Sequence, residues 1–282
     1  MRQLEHGSIG TRLGEGLRES GTLGDDAMQR TLEAIATFVE RARQHDARVS
    51  CIATSAVRRA SNRESFAGRV AALTGADLHV LDGEAEAAAS FDGATYGAMP
   101  SATRIAVLDV GGGSTECAVG RDGLRDGAVS VEIGAVRLAE RYPETTGGSV
   151  ERARAAGLCA RAAAAAALRP FAPLGPAGEV RAVGGTPLTL GAIAFESSAD
   201  AVSGRTLTRR EIDASIERML GLDLAARREL PGMIAQRADI LPAGAIILSE
   251  ALRVLGCDAA RLESNDLLLG YLLRTGPGRA NA

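Results

Sequence analysis

The sequence predicts an α/β protein. Three observations lead there. Short apolar runs at residues 49–57, 78–81, 105–110, 179–183 and 260–264 alternate with longer stretches of helical spacing. Several runs end in glycine-rich turns that open directly onto helices, as Gly184-Gly185-Thr186-Pro187 does. The 282 residues, 46% of them hydrophobic, suffice for one large or two modest domains with a sizeable core.

Residues 1–24 are glycine-rich and polar, with only Leu13 and Leu17 in the run from Arg12 as an apolar hint. Asp25 and Asp26 open a helix, their charges suiting its N-terminal dipole. Ala27, Leu32, Ile35, Ala36, Val39 and Ala42 give it one apolar stripe. Residues 49–57 read as a strand, followed by Arg58 and Arg59. Ser61 and Glu64 have capping-box spacing for a helix carrying Phe66, Val70 and Leu73. A strand at 78–81, a turn at Asp82-Gly83 and an alanine-rich helix from Glu84 to Tyr96 follow. Residues 97–101 make the natural break, giving two lobes, 1–102 and 103–282, around a cleft.

The second lobe opens on the stretch 105–120. After its glycines come a strand near 128–133, a short helix from Ala135 and an alanine-rich helix over 150–169. Pro170, Pro173 and Pro176 end that helix. The strand 179–183 leads into a helix through Ile193, and Thr208 with Glu211 caps another. An apolar helix at 241–255, a strand at 260–264 and a helix at 266–273 complete the elements, with a frayed tail expected from Thr275.

The stretch 105–120 carries the chemistry. Asp109 interrupts an apolar strand, where a lone carboxylate is costly unless paired or on a metal. Gly111, Gly112 and Gly113 let the backbone turn tightly and approach a ligand. Their N–H groups, with the hydroxyls of Ser114 and Thr115, can surround a phosphate oxygen. Asp109 and Glu116 are hard oxygen ligands flanking the turn, which suits Mg²⁺ beside a phosphate. The same residues also fit an ordinary glycine hairpin with solvated acids, and Glu116 fits the solvent face of a strand. Gly185 and Thr186, at a helix N-terminus, form a second anion pocket or a routine turn.

Composition narrows the classes. Aromatic residues are 3% with no Trp, which argues against stacking platforms for single-stranded nucleic acid. A net charge of −3 gives no electrostatic footprint for DNA or RNA, so an anionic substrate must meet local cations. Cys51, Cys117, Cys159 and Cys257 form no CxxC pair and read as small buried hydrophobes in a reducing compartment. His6, His45 and His79 match no zinc spacing. No signal-peptide pattern and no membrane-length apolar run are present, so a cytoplasmic protein without a membrane partner is expected.

Asp109-Val110-Gly111-Gly112-Gly113-Ser114-Thr115-Glu116 closely resembles a signature of the exopolyphosphatase / guanosine-pentaphosphate phosphohydrolase (Ppx/GppA) family. Four more stretches agree in order. They are Ala53-Thr54-Ser55-Ala56-Val57-Arg58 with Asn62; Gly83-Glu84-Ala85-Glu86-Ala87, with Ala85 in place of an acid; Gly184-Gly185-Thr186; and Arg237-Ala238-Asp239 with Leu241-Pro242-Ala243-Gly244.

The resemblance implies two ribonuclease-H-like lobes of the actin / sugar kinase / Hsp70 superfamily. It implies Mg²⁺-dependent hydrolysis of the terminal phosphate of polyphosphate or guanosine pentaphosphate, and a homodimer, since members often pair. Glu86 falls on the position that resembles the catalytic base. Asp109 and Glu116 fall on the acids beside phosphate and metal, and Gly112, Gly113, Ser114 and Thr115 on the phosphate cradle. Arg58 and Arg237 are cleft cations, though Arg237 could instead pair with Asp239 or Asp223. The family's first phosphate loop, of the form Asp-x-Gly-Ser/Thr-Asn-Ser, has no match in residues 1–24, so a first lobe lacking its first hairpin is expected. That departure keeps a second expectation open: a catalytically weak phosphate-binding or regulatory protein. A sugar or acetate kinase relative fits Glu86 and the Gly-Gly-Gly-Ser-Thr-Glu string less well.

Overall fold

The computed structural model describes residues 4–99, 102–147 and 149–276. They form two compact units, Met1–Asp82 and Gly83–Ala282.

The first unit holds helices α1 (Leu17–Ser20) and α2 (Asp25–Gln44), strand β1 (Cys51–Ala53), α3 (Ser55–Arg59), α4 (Arg63–Thr74) and β2 (Leu78–Val80). Strands β1 and β2 pair in parallel. Leu17, Leu23, Met28, Val57, Phe66 and Val70 make its core. Two local expectations are corrected. The strand expected over 49–57 stops at Ala53, because β2 offers only three partner residues. Beyond it the Arg58 amide donates to the Thr54 carbonyl at 3.0 Å and the chain turns helical. The Ser61–Glu64 capping box does not form. Asn62 is the N-cap of α4, without a side-chain cap bond. Its amide instead clamps Leu23, accepting from the backbone N–H and donating to the carbonyl, both at 2.9 Å. Ser61 donates to the Gly21 carbonyl at 3.1 Å.

The second unit begins with α5 (Gly83–Thr95) and continues with β3 (Ile105–Val110), β4 (Thr115–Arg121), β5 (Leu124–Val131), α6 (Ala135–Arg141), α7 (Val150–Ala167), β6 (Glu179–Val183), α8 (Gly185–Ala194), β7 (Thr206–Thr208), α9 (Arg209–Leu220), α10 (Leu224–Arg228), α11 (Leu241–Val254), β8 (Ala259–Glu263) and α12 (Leu267–Thr275). Its sheet runs in the order β5-β4-β3-β6-β8-β7. The central strands β3, β6 and β8 are parallel, with the β3–β4–β5 meander antiparallel on one side. Helix α5 groups with this unit and not with the residues before it, so the break comes ahead of α5 and not after it. The reason is packing: Ala87, Phe91 and Ala94 of α5 share a core with Ile105, Val107, Ala118 and Val183 of the sheet. The expected break at 97–101 runs over Pro100 and Ser101, and the expected tail runs past Gly276; both reach outside the described residues.

Strand alternation assigns the faces. Ala106, Leu108 and Val110 of β3 join the larger core under α11, which is buried from Leu241 to Leu252, whereas Ile105 and Val107 face α5. Asp109 continues the second series. Helices α5 and α12 cross closely. A side chain at Gly93 would collide with the Asp266 carbonyl, and one at Gly270 with the Ala89 carbonyl. Among the described residues no helix is long and apolar enough to cross a membrane. All four cysteines are free.

Candidate active site

The glycine stretch is a β-hairpin. In its register Asp109 lies opposite Glu116 and Val110 opposite Thr115, and the Gly111 amide donates to the Ser114 carbonyl at 3.1 Å. The turn sorts its polar groups. The Gly111 carbonyl accepts from the Ala135 amide at 2.9 Å, and the Gly112 carbonyl accepts from Val136 at 3.0 Å, so the carbonyls cap helix α6. Among the described residues, no acceptor takes the N–H groups of Gly112, Gly113 or Ser114. They remain available as anion donors. Ser114 is nearly fully buried. Thr115 is a correction: its buried hydroxyl donates to the Ile133 carbonyl at 2.6 Å, so that proton is not offered to the cradle.

Below the turn, three carboxylates converge. Asp109 sits at the end of β3, Glu116 near the start of β4 and Glu86 in the first turn of α5. Glu116 is 1% exposed and Glu86 6%, which excludes the solvent-face reading for Glu116. The Ser90 hydroxyl donates to Asp109 Oδ2 at 2.7 Å, and the Ser130 hydroxyl to Glu116 Oε1 at 2.7 Å. Among the described residues Glu116 Oε2 is buried with no hydrogen-bond partner. Burial, then the charges of Asp266 and Glu86, pushes the Asp109 carboxyl up to about 7, against the Ser90 hydrogen bond. Burial, then the charges of Glu86 and Asp109, pushes Glu116 up to about 8, against the pull of the nearby serine hydroxyls.

A second cluster adjoins the first at the carboxyl ends of the parallel strands β3 and β6, where Asp109 pairs in register with Val183. Gly184, at φ 91, turns the chain beside Asp109 Oδ1. Gly185 begins α8, whose N-terminus has no side-chain cap. The Arg237 guanidinium rests where a Gly185 side chain would stand. Among the described residues Arg237 makes no ion pair with Asp239, Asp223 or any other acid; burial alone lowers its pKa. An uncompensated guanidinium against a positive helix end calls for an anion. Thr186 is buried, with Gly244 of α11 packed on its side chain. Arg58 belongs to the first unit, where its Nη1 donates to the Leu81 carbonyl at 2.7 Å.

Among the described residues no group of three or more His, Cys, Asp and Glu side chains is arranged to hold a metal. Two carboxylates with one orphaned oxygen do suit Mg²⁺, which takes one or two carboxylates and fills its sphere with phosphate and water.

Sequence reasoning missed Asp266, Ser90, Ser130 and Arg227. Asp266 caps α12 through Leu268 and contributes charge toward Asp109. Ser90 could have been found, since it lies four residues after Glu86 on one helix face. Arg227 is fully buried and donates to the carbonyls of Met219, Leu222, Thr145 and Ala238, thereby holding the segment that carries Arg237.

A crystal structure of an exopolyphosphatase-like protein superposes on the chain with a TM-score of 0.84 at 28% identity, covering 94% of this chain and 89% of that one. The chain is thus an α/β enzyme of the phosphatase class. The model of the Ppx/GppA phosphatase family matches residues 1–273, and the chain belongs to that family of hydrolases. It is 32% identical over 275 residues to Exopolyphosphatase 2 of Mycobacterium tuberculosis, covering 93% of this chain and 86% of that protein. It is 28% identical over 263 residues to the guanosine-5'-triphosphate,3'-diphosphate pyrophosphatase of Photobacterium profundum, covering 93% of this chain and 52% of that protein.

Proposed function

We propose that this chain hydrolyses the terminal phosphoanhydride of inorganic polyphosphate. The names of its relatives support the reaction class. The observation that carries the reading is Arg237, whose guanidinium makes no ion pair among the described residues and is set against Gly185 at the open end of α8. Together with the free amides of Gly112, Gly113 and Ser114, it supplies donors for a highly charged, non-aromatic phosphate chain. A guanosine pentaphosphate substrate is the second reading, favoured by the likeness to the Photobacterium profundum enzyme.

In this reading Glu86 accepts the proton of a water whose oxygen attacks the terminal phosphorus. The bridging P–O bond breaks, and the shortened chain leaves on its bridging oxygen. Arg237 and the glycine-turn amides hold the non-bridging oxygens while charge redistributes. Asp109 and Glu116 would hold Mg²⁺, which neutralises phosphate charge when bound. Ser90 and Ser130 orient those two carboxylates.

The test is release of inorganic phosphate from polyphosphate with Mg²⁺ and with EDTA, beside guanosine pentaphosphate under the same conditions. Release from polyphosphate that EDTA abolishes is the expected result. A folded protein that releases none from either substrate overturns the reading in favour of a phosphate-binding or regulatory role.

A further inference from the structure

We propose that Gly83 and Ser130 act as one positioning device that aims Glu116 at a divalent cation. The inference rests on the reading of Glu116 as a metal ligand. Ser130 stands directly opposite Glu116 in the β4–β5 register. Its hydroxyl donates to Oε1 at 2.7 Å, while among the described residues the buried Oε2 takes no hydrogen bond, the Ser114 hydroxyl being the other serine close enough to act on this carboxyl. A carboxylate pinned at one oxygen presents the other in a fixed direction.

Gly83 controls whether that hydroxyl can stand there. It is the first residue of α5, and it is not among the glycines with positive φ, so its backbone does not demand glycine. Space does. A Cβ at position 83 would lie 2.5 Å from Ser130 Cβ and 2.7 Å from its Oγ. Because the nearer of these atoms is Cβ, which no rotation about χ1 moves, a side chain there displaces Ser130 and its hydroxyl bodily or lifts the start of α5 off β5. Glu86 lies three residues on, one helical turn away. A single contact therefore sets the aim of Glu116 and the depth of Glu86 together. Neither Gly83 nor Ser130 touches substrate in this scheme; both act through carboxylates.

The probe is Mn²⁺ alone, titrated into the full chain while the EPR signal of the free ion is followed. Gly83→Ala and Ser130→Ala should each weaken Mn²⁺ binding by about 10- to 100-fold, the cost usual for losing an outer-shell partner. In a Ser130→Gly background, where the colliding Cβ is gone, Gly83→Ala should weaken binding no further. Cooperative urea unfolding confirms that each variant is folded; if Gly83→Ala does not fold, Ser130→Ala decides. Wild-type affinity in folded Ser130→Ala overturns the inference. So does a further loss from Gly83→Ala in the Ser130→Gly background, because Gly83 would then act by another route. A wild-type chain that binds no Mn²⁺ overturns the metal reading itself, a result distinct from a wild type that binds beside variants that bind equally well.

Discussion

Asp109 faces Glu116 directly across the β3–β4 pair, a half-buried and a fully buried carboxylate on one side of one hairpin. Side chains so placed sit about 5 Å apart at Cβ, where like charges repel. The sheet tolerates them because Ser90 and Ser130 each donate to one of them and because protonation removes the clash.

That pair makes the metal-free protein sensitive to alkali. Both acids have folded-state values raised from their ordinary ones, to about 7 for Asp109 and about 8 for Glu116. The folded state therefore holds protons that the unfolded chain releases. Their contribution to stability is fully present below the ordinary carboxylate range and is lost as pH rises through the folded values. In EDTA, the melting temperature should fall between about pH 5 and about pH 8.5, and Glu116→Gln should flatten that fall. Divalent cation should restore stability at the upper end. A melting temperature independent of pH over this window would mean the two acids are not strained against each other.

Glu86→Gln should lower kcat by about 10²- to 10⁴-fold while KM for polyphosphate changes little, since the charge is needed to accept a proton and not to bind. Steady-state phosphate release checks this. Equal loss in kcat/KM through KM alone would assign Glu86 to binding.

Arg237→Ala should cost about 1.5–3 kcal/mol of phosphate binding, seen as a roughly 10- to 100-fold rise in KM. Arg237→Lys should recover part of it, because an ammonium keeps the charge but not the fork. Raising salt should shrink the difference between wild type and Arg237→Ala.

Arg227→Met should destabilise the fold by about 3–5 kcal/mol, because four carbonyls lose a charged donor in a place without water. Urea unfolding measures it. The residual folded enzyme should also show a raised KM, since Ala238 adjoins Arg237.

The alternation of elements was legible because strand and helix periods differ so plainly in this chain, and the hairpin was legible because three glycines join two apolar runs. The capping box Thr208–Glu211 formed as its spacing required. Strand β7 was not legible, since Thr208 serves both as its last residue and as the cap of α9. The Ser61–Glu64 pattern failed because Ser61 and Asn62 found backbone partners at Gly21 and Leu23, far away in sequence. Glu86, Asp109 and Glu116 were readable as acids near a turn. Ser90 and Ser130, which support them, and Asp266, whose charge acts against Asp109, became visible only when α5, β5 and α12 were laid against β3 and β4.

The glycine turn commits its carbonyls to α6 and keeps its amides for the opposite side. Gly134, behind it, has no room for a side chain against the Gly112 backbone. An alanine at position 134 would press the loop from the rear, and a residue that never meets the ligand would register in a binding isotherm as though it had been touching it.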